Sequence, residues 1–212
     1  MFWPTNIHPM KKHHLSLLLC FTVHSSLYAQ EKIGAQLYKY FRTEPAVQPV
    51  ASIQWENNWH TELRYNYEAA QTLSVYAGKK IDLGTARQMS FTPMLGFSGG
   101  PFTGVTAACN AEISWRKIFF SSDNQYSISL KKNSNSFFFN WSELGYNLCN
   151  NFYAGVSMQY NKETNVDDLK AGFLFGTSFK NFQVPVYVFR PLQSSRCFVI
   201  GLVYDYNIIK KR

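Results

Sequence analysis

Strict two-residue alternation of apolar and polar side chains runs from residue 53 to the C-terminal region and constrains the fold more than any other feature of this chain. In residues 152–160 one phase is Phe152, Ala154, Val156, Met158 and Tyr160, and the other is Tyr153, Gly155, Ser157 and Gln159. Because successive side chains of a β-strand point to opposite faces, the pattern predicts a strand with one apolar and one polar face. Glycine, serine and tyrosine fill the polar phase, whereas a water-facing strand usually carries lysine, glutamate and threonine. The sequence therefore predicts the polar interior of a narrow barrel whose apolar face meets lipid.

Composition supports a membrane barrel. Charged residues make up only 16% of the chain and aromatic residues 17%, against a usual charged share of about 25%. No apolar run approaches the ~20 residues that a membrane-spanning helix needs, and the longest, residues 15–23, lies near the N-terminus. A closed barrel is the other structure that satisfies every backbone polar group in hydrocarbon.

The first 29 residues resemble a secretory signal peptide. Lys11 and Lys12 supply the positive region, residues 15–23 supply the apolar core, and a cleavage site precedes Gln30. We predict Met10 as the true initiator.

Removing this leader simplifies the inventory of charged and reactive side chains. Two lysines and no acids leave, so the net charge falls from +8 to about +6 (8 − 2), and His60 is the one remaining histidine of five. No basic run with interleaved aromatic residues is present, so we expect no nucleic-acid partner. Cys109, Cys149 and Cys197 are odd in number and widely spaced, which argues against a disulfide framework or a zinc site. We expect no metal and no cofactor.

About ten alternating segments separated by short polar turns predict an all-β, up-and-down antiparallel transmembrane β-barrel. Eight to twelve strands remain open. We assign residues 30–52 to an N-terminal lead-in, although residues 33–41 could form a further strand. Residues 53–208 form the barrel, with residues 53–68 as its first strand, and residues 209–212 form a tail. Both termini are expected in the periplasm. We do not expect a wide diffusion pore, because ~16 strands are typical of an aqueous channel.

The C-terminal segment carries a family resemblance. Gly201, Tyr204 and Tyr206 resemble the last-strand insertion signal of outer-membrane barrels, in which aromatic residues follow a glycine three and five positions later. The chain thus resembles the broad class of small bacterial outer-membrane β-barrel proteins. The resemblance implies a location in the outer membrane of a Gram-negative bacterium after cleavage of the leader. It also implies outer-membrane lipid and the barrel-insertion machinery as partners.

Ionisable side chains concentrate on the polar phase of the first and fourth segments. This predicted lumen charge cluster comprises Glu56, His60, Glu62, Arg64, Glu68, Glu112 and Arg116. One interpretation is a salt-bridged interior, since buried charges must be paired. The other is a catalytic or translocation site, because ionisable groups inside a membrane often mark function. His60 is a weak catalytic candidate, since the adjacent Thr61 points to the opposite face and a nucleophile such as Ser114 would have to come from another strand.

The positions of four tryptophans also favour a membrane barrel. Trp55, Trp59, Trp115 and Trp141 fit aromatic girdles at the membrane interfaces. The sequence predicts an integral outer-membrane barrel of structural or narrow-pore type. One alternative is a membrane-embedded lipid hydrolase using His60. A second is a soluble periplasmic, lipocalin-like binder whose apolar phase faces inward around an apolar ligand.

Overall fold

A computed structural model describes residues 30–41, 46–84, 88–132, 134–164 and 166–208 as a set of thirteen antiparallel strands. The predicted leader and tail lie outside the described residues. The strands are β1 Gln30–Phe41, β2 Ala46–Trp55, β3 Trp59–Tyr65, β4 Leu73–Lys79, β5 Ile81–Leu83, β6 Gln88–Gly99, β7 Gly104–Trp115, β8 Ile118–Ser129, β9 Phe137–Asn147, β10 Phe152–Glu163, β11 Val166–Phe179, β12 Phe182–Phe189 and β13 Cys197–Asn207.

Hydrogen bonding between the strands closes the sheet into a barrel. Apart from β4 and β5, consecutive strands pair with each other, and β1 pairs with β13 over ten residue pairs from Lys32↔Asn207 to Phe41↔Phe198. β5 continues β4 beyond Lys80, and both pair with β6. The barrel therefore has twelve strand positions, at the upper limit of the predicted range rather than about ten.

Two expectations about the N-terminal part of the barrel were wrong. Residues 30–52, expected as a lead-in, form β1 and most of β2. Residues 53–68, expected as one strand, form the end of β2, a turn, and β3. Asn58 turns the chain with a φ of 64°, a left-handed conformation that asparagine tolerates. The turn keeps the alternation in phase, so the sequence pattern passes through it unbroken.

The apolar phase faces outward. On β6, Leu95 and Phe97 are 74% and 55% exposed, whereas Thr92, Met94 and Ser98 on the other face are buried. Large exposed apolar side chains of this kind occur on every wall of the barrel. This orientation is the opposite of the lipocalin-like alternative. Among the described residues, no helix is long and apolar enough to cross a membrane.

The two ends of the barrel differ in their connections. We call the end at which β1 begins and β13 finishes the terminal end, and the opposite end the loop end. Turns at the terminal end are short, with two residues at 116–117 and two at 180–181. Connections at the loop end reach seven residues, at 66–72, 130–136 and 190–196.

Glycines on the inner face lie opposite aromatic rings of the neighbouring strand. The cross-strand pairs are Tyr38 with Gly201, Tyr76 with Gly96, Phe119 with Gly145 and Tyr153 with Gly176. A Cβ atom on any of these glycines would lie 2.1–2.8 Å from a ring atom of its partner. The rings therefore pack against bare backbone, which explains why glycine and tyrosine fill the polar phase. Gly201 has this packing role in addition to its place in the predicted insertion signal.

Substituting Gly96 tests this packing, with Gly99 on the same strand as a matched control. In Gly96→Ala the new Cβ would lie 2.4 Å from Cε1 of Tyr76, whose side chain is fully buried. We expect a loss of about 1–3 kcal/mol of unfolding free energy, as for other overpacked sites. In Gly99→Ala the nearest atom lies at 4.0 Å, and the stability should change little. Urea unfolding in lipid vesicles measures both, and equal effects would contradict this packing.

Candidate functional site

A polar cavity of about 510 Å³ occupies the lumen. We call it the vestibule. Its lining comes mostly from the half of each strand nearer the terminal end and includes Lys32, Gln54, His60, Glu62, Arg64, Lys80, Thr92, Asn110, Glu112, Ser114, Asp123, Glu143, Gln183 and Asp205. Side chains from around the whole barrel thus converge on one water-accessible space.

Carboxylates outnumber basic side chains in the vestibule. The acidic residues are Glu62, Glu112, Asp123, Glu143 and Asp205, and the basic ones are Lys32, Arg64 and Lys80, with His60 in addition. Some charges form pairs: Lys32 Nζ lies 3.1 Å from Asp205 Oδ2, and Lys80 Nζ lies 3.2 Å from the carboxylate of Asp82 at the rim. Leaving His60 out of the count, the lining has two more carboxylates than lysine and arginine side chains (5 − 3). Its formal charge is therefore negative, which is the sign that attracts cations.

β3 contributes a buried ion pair at the inner limit of the vestibule. Glu62 and Arg64 lie two positions apart and so share the inner face, with Arg64 Nη2 2.6 Å from Glu62 Oε2. The other carboxylate oxygen of Glu62 lies 2.8 Å from His60 Nε2. The Arg64 guanidinium carbon lies 4.7 Å and 4.1 Å from the ring centroids of Tyr67 and Tyr76, within the range of a cation–π interaction.

The ion pair also bridges the lumen. Arg64 Nη1 donates a hydrogen bond of 3.0 Å to Gln125 Oε1 on β8, and Asn110 Nδ2 on β7 donates one of 3.2 Å to Glu62 Oε1. These hydrogen bonds join β3 to strands that are not its neighbours in the sheet. They therefore narrow the free cross-section at this depth.

Aromatic and aliphatic side chains fill part of the lumen, mainly from the loop-end halves of their strands, and Trp141, Tyr153 and Tyr187 among them also line the vestibule. The buried cluster contains Tyr40, Trp141, Tyr153, Leu174, Tyr187, Phe189, Cys197 and Val199. Trp141 donates its indole N–H to Ser157 Oγ at 2.9 Å, and Gln159 Nε2 donates to the Tyr40 hydroxyl at 3.1 Å. The expectation that Trp141 belongs to an interface girdle was wrong, because the phase of β9 points it inward and Ser157 satisfies its N–H. Trp55, Trp59 and Trp115 lie at the terminal end, on the outer phase of their strands.

The predicted lumen charge cluster separates into three groups. His60, Glu62, Arg64 and Glu112 line the vestibule. Glu68 lies in the 66–72 connection at the loop end, where it accepts hydrogen bonds from Ser74 and from the Tyr76 hydroxyl. Glu56 and Arg116 are exposed residues of terminal-end turns, so their assignment to the lumen was wrong. The turns end the strands just before these positions, which alternation alone does not reveal.

Sequence reasoning missed five charged residues of the vestibule, namely Lys32, Lys80, Asp123, Glu143 and Asp205. Lys32 lies in the segment expected as a lead-in. Asp123 and Glu143 lie on β8 and β9, where the outer face is also polar and the alternation is lost. The pairing register of β8 and β9 would have identified them. Asp123 pairs with Trp141 and Ser121 pairs with Glu143, so these residues share the inner face.

The surroundings of His60 do not form a nucleophile pair. Its Nδ1 lies 3.2 Å from Gln54 Oε1 and its Nε2 lies 2.8 Å from Glu62 Oε1. Both ring nitrogens face acceptor oxygens, so neither is oriented to take a proton from a hydroxyl. Ser114 lines the same vestibule, but within the described part of the chain no hydrogen bond joins it to His60.

Comparison with known proteins identifies the fold. No family model matches the chain, and no curated protein matches it. Among solved structures, the KdgM porin in complex with disordered oligogalacturonate superposes with a TM-score of 0.63 at 11% identity, covering 82% of this chain and 99% of the porin. Another structure of the KdgM porin gives 0.61 at 12% identity with the same coverage. The NanC porin gives 0.53 at 8% identity, covering 84% of this chain and 100% of the porin.

The chain is therefore an all-β protein with the closed-barrel fold of the small porins, a bacterial outer-membrane β-barrel architecture. At these identities the similarity shows the fold, and it carries no information on solute or activity. The vestibule must be interpreted from its own residues.

Removal of the Arg64 charge tests the bridge. In Arg64→Met, buried Glu62 loses its closest cation and Gln125 Oε1 loses its donor. We expect a loss of about 3–5 kcal/mol of unfolding free energy, which is typical when one partner of a buried ion pair is removed. The double variant Glu62→Gln/Arg64→Met should lose less, because it leaves no unpaired buried charge.

The matched control is Arg116→Met, in an exposed turn, for which a change within about 0.5 kcal/mol is expected. Urea titration followed by tryptophan fluorescence reports all three stabilities. A cost for Arg64→Met no larger than that for Arg116→Met would show that the bridge does not stabilise the barrel.

Proposed function

We propose that this protein is an integral outer-membrane β-barrel that provides a narrow, cation-preferring pathway for small polar solutes. The outward apolar face, the insertion signal at Gly201, Tyr204 and Tyr206, and the similarity to porin structures support the membrane placement. The signal-peptide pattern supports export across the inner membrane before insertion.

The difference between the two ends supports an orientation. Outer-membrane barrels have short periplasmic turns and longer extracellular loops. Connections at the terminal end are two to four residues long, whereas three of those at the loop end have seven residues. Both termini and the mouth of the vestibule therefore face the periplasm in this proposal.

The observation that carries the proposal is the polar vestibule inside a closed barrel. A purely structural barrel of this size can fill its interior with side chains, whereas here about 510 Å³ of polar, charged space remains open. The Arg64 bridge and the aromatic cluster limit passage to small solutes.

The charge of the vestibule argues against oligogalacturonate, the ligand of the KdgM complex, as a solute of this protein. Oligogalacturonate is a chain of carboxylate-bearing sugars, whereas the vestibule here has five carboxylates against three lysine and arginine side chains. Like charges repel in a confined space of low dielectric. We therefore propose small cations and neutral polar molecules as the solutes.

Ion selectivity in planar bilayers tests this proposal. Under a potassium chloride gradient, the reversal potential of the reconstituted protein should show preference for potassium over chloride. Glu112→Gln should lower the permeability ratio roughly twofold, since a carboxylate several ångströms away attracts a cation by about 0.5 kcal/mol in water. Asp167→Asn, an exposed carboxylate on the outer phase of β11 near the loop end, is the control and should leave the ratio unchanged.

Two results would contradict the proposal. Chloride preference would show that the carboxylates do not set the potential along the pathway. An absence of conductance from folded, inserted barrels would favour a purely structural protein.

A further inference from the structure

Four polar side chains interrupt the apolar outer face. Ser122 and Asn124 on β8 lie directly across from Ser142 and Asn140 on β9. Their strand neighbours Asp123 and Trp141 point into the lumen, so these four point outward. We call them the β8–β9 patch. They lie near the middle of both strands, at the depth where the proposed membrane placement puts hydrocarbon.

The β8–β9 patch is a connected hydrogen-bond network. Asn140 Nδ2 donates to Ser122 Oγ at 3.0 Å and to Asn124 Oδ1 at 2.7 Å. Asn124 Nδ2 donates to Ser122 Oγ at 3.0 Å, and Ser142 Oγ donates to Asn140 Oδ1 at 3.0 Å. The Ser122 and Ser142 hydroxyls lie 2.9 Å apart. The network is thus preformed, and Ser122 and Asn140 are buried within it.

Hydrogen bonding within the patch satisfies its donors more fully than its acceptors. Both amide groups use their N–H groups inside the network or on the Cys109 and Ser122 carbonyls. Each amide oxygen accepts one hydrogen bond from within the patch and can accept two. In hydrocarbon, unused polar capacity is costly, so a surface that brings hydroxyl donors would stabilise the patch.

The shape around the patch allows another barrel wall to approach. Cys109 and Ala111 on β7 are small and lie across from Asn124 and Ser122. Bulkier outward side chains frame this area, namely Phe120, Tyr126, Phe138 and Leu144. Without a hydrophobic driving force in lipid, membrane proteins associate through small residues and hydrogen bonds.

We propose that the β8–β9 patch is the interface with a second copy of this chain, related by a two-fold axis that passes close to the patch. This inference rests on the membrane placement in the proposed function and not on transport. The chain itself supplies hydroxyl donors beside the patch. Tyr126 follows Asn124 on the outer face of β8, and Tyr160 lies directly across from Asn140. In a two-fold contact, these hydroxyls of one copy face the half-buried Asn124 amide oxygen of the other, as an isologous interface requires.

Neutrality of this wall favours a second copy over a lipid headgroup. The outward positions of β7, β8 and β9 carry no lysine or arginine within the described strands. An anionic headgroup would find no cation there, and headgroups lie at the membrane surface rather than at mid-depth.

Native Cys109 provides a direct test. It lies at the edge of the patch, Cys149 is exposed in a turn, and Cys197 is buried. In a Cys149→Ser background, a flexible bis-maleimide added to folded barrels in phospholipid vesicles should give a covalent dimer through Cys109, whose two copies lie three strand spacings, or about 14 Å, apart across the axis. The control moves the thiol to the opposite wall with Cys109→Ser/Leu37→Cys. β1 lies six strand positions from β8 in either direction around the barrel, so this control should give little dimer.

The variant Asn124→Leu/Asn140→Leu distinguishes a patch that binds a second copy from one that only stabilises the monomer. We expect the monomer–dimer dissociation constant in vesicles to rise about tenfold or more, in line with hydrogen-bonded contacts in lipid. The monomer should unfold at the same or a higher urea concentration, because two amides leave the lipid-facing surface. The matched control Leu37→Ala should leave the dissociation constant unchanged.

Three outcomes would overturn the inference: a wild-type protein that is monomeric in vesicles, equal cross-linking from Cys109 and from the control thiol, or a variant that dimerises normally while its barrel is destabilised. Conductance is recorded on the same vesicles, so a barrel that dimerises without conducting would refute the transport proposal alone. A barrel that conducts as a monomer would refute only this inference.

Discussion

A polypeptide backbone in hydrocarbon has no water to bond, so every N–H and C=O must find a partner within the protein. The pairing of β1 with β13 meets this requirement by closing the sheet, and among the described strands only the three-residue β5 lacks a partner on one side. Closure also fixes which phase of each strand lies inside. The vestibule, the aromatic cluster and the apolar wall all depend on that one ladder. Residues 30–41, predicted from the sequence as part of a lead-in, therefore contribute to closure as directly as β13 does.

Side chains fill part of the interior of the twelve-strand barrel and leave the vestibule open. Aromatic rings lie across glycines of the next strand, as Tyr76 does over Gly96, and this packing occupies space close to the wall. The Arg64 bridge then spans the lumen at one depth. Rigid rings and a paired charge make a defined constriction, and in the proposed pathway the acidic vestibule beside it attracts cations.

Alternation in the sequence predicted the architecture, the outward direction of the apolar phase and four of the vestibule residues, His60, Glu62, Arg64 and Glu112. It could not give the number of strands, because the turn at Asn58 keeps the period and hides the boundary between β2 and β3. Trp141 shows a second limit, since a tryptophan suits an interface by composition and only the register places it inside. On β8 and β9 both faces carry polar residues, so alternation cannot distinguish the inner from the outer face where Asp123, Glu143 and the β8–β9 patch lie. Those positions required the pairing of the two strands.

Electrophoretic mobility tests the central claim of a closed, lipid-embedded barrel most directly. The membrane-fraction protein is run in detergent with and without boiling, beside its Gly96→Ala variant. A closed barrel remains folded in detergent without boiling, so we predict that the unboiled wild-type band migrates faster and that heating converts it to the slower unfolded band. The variant should convert at a lower temperature. A single unshifted band from protein recovered in the soluble fraction would contradict the account, because the apolar phase would then have to face inward.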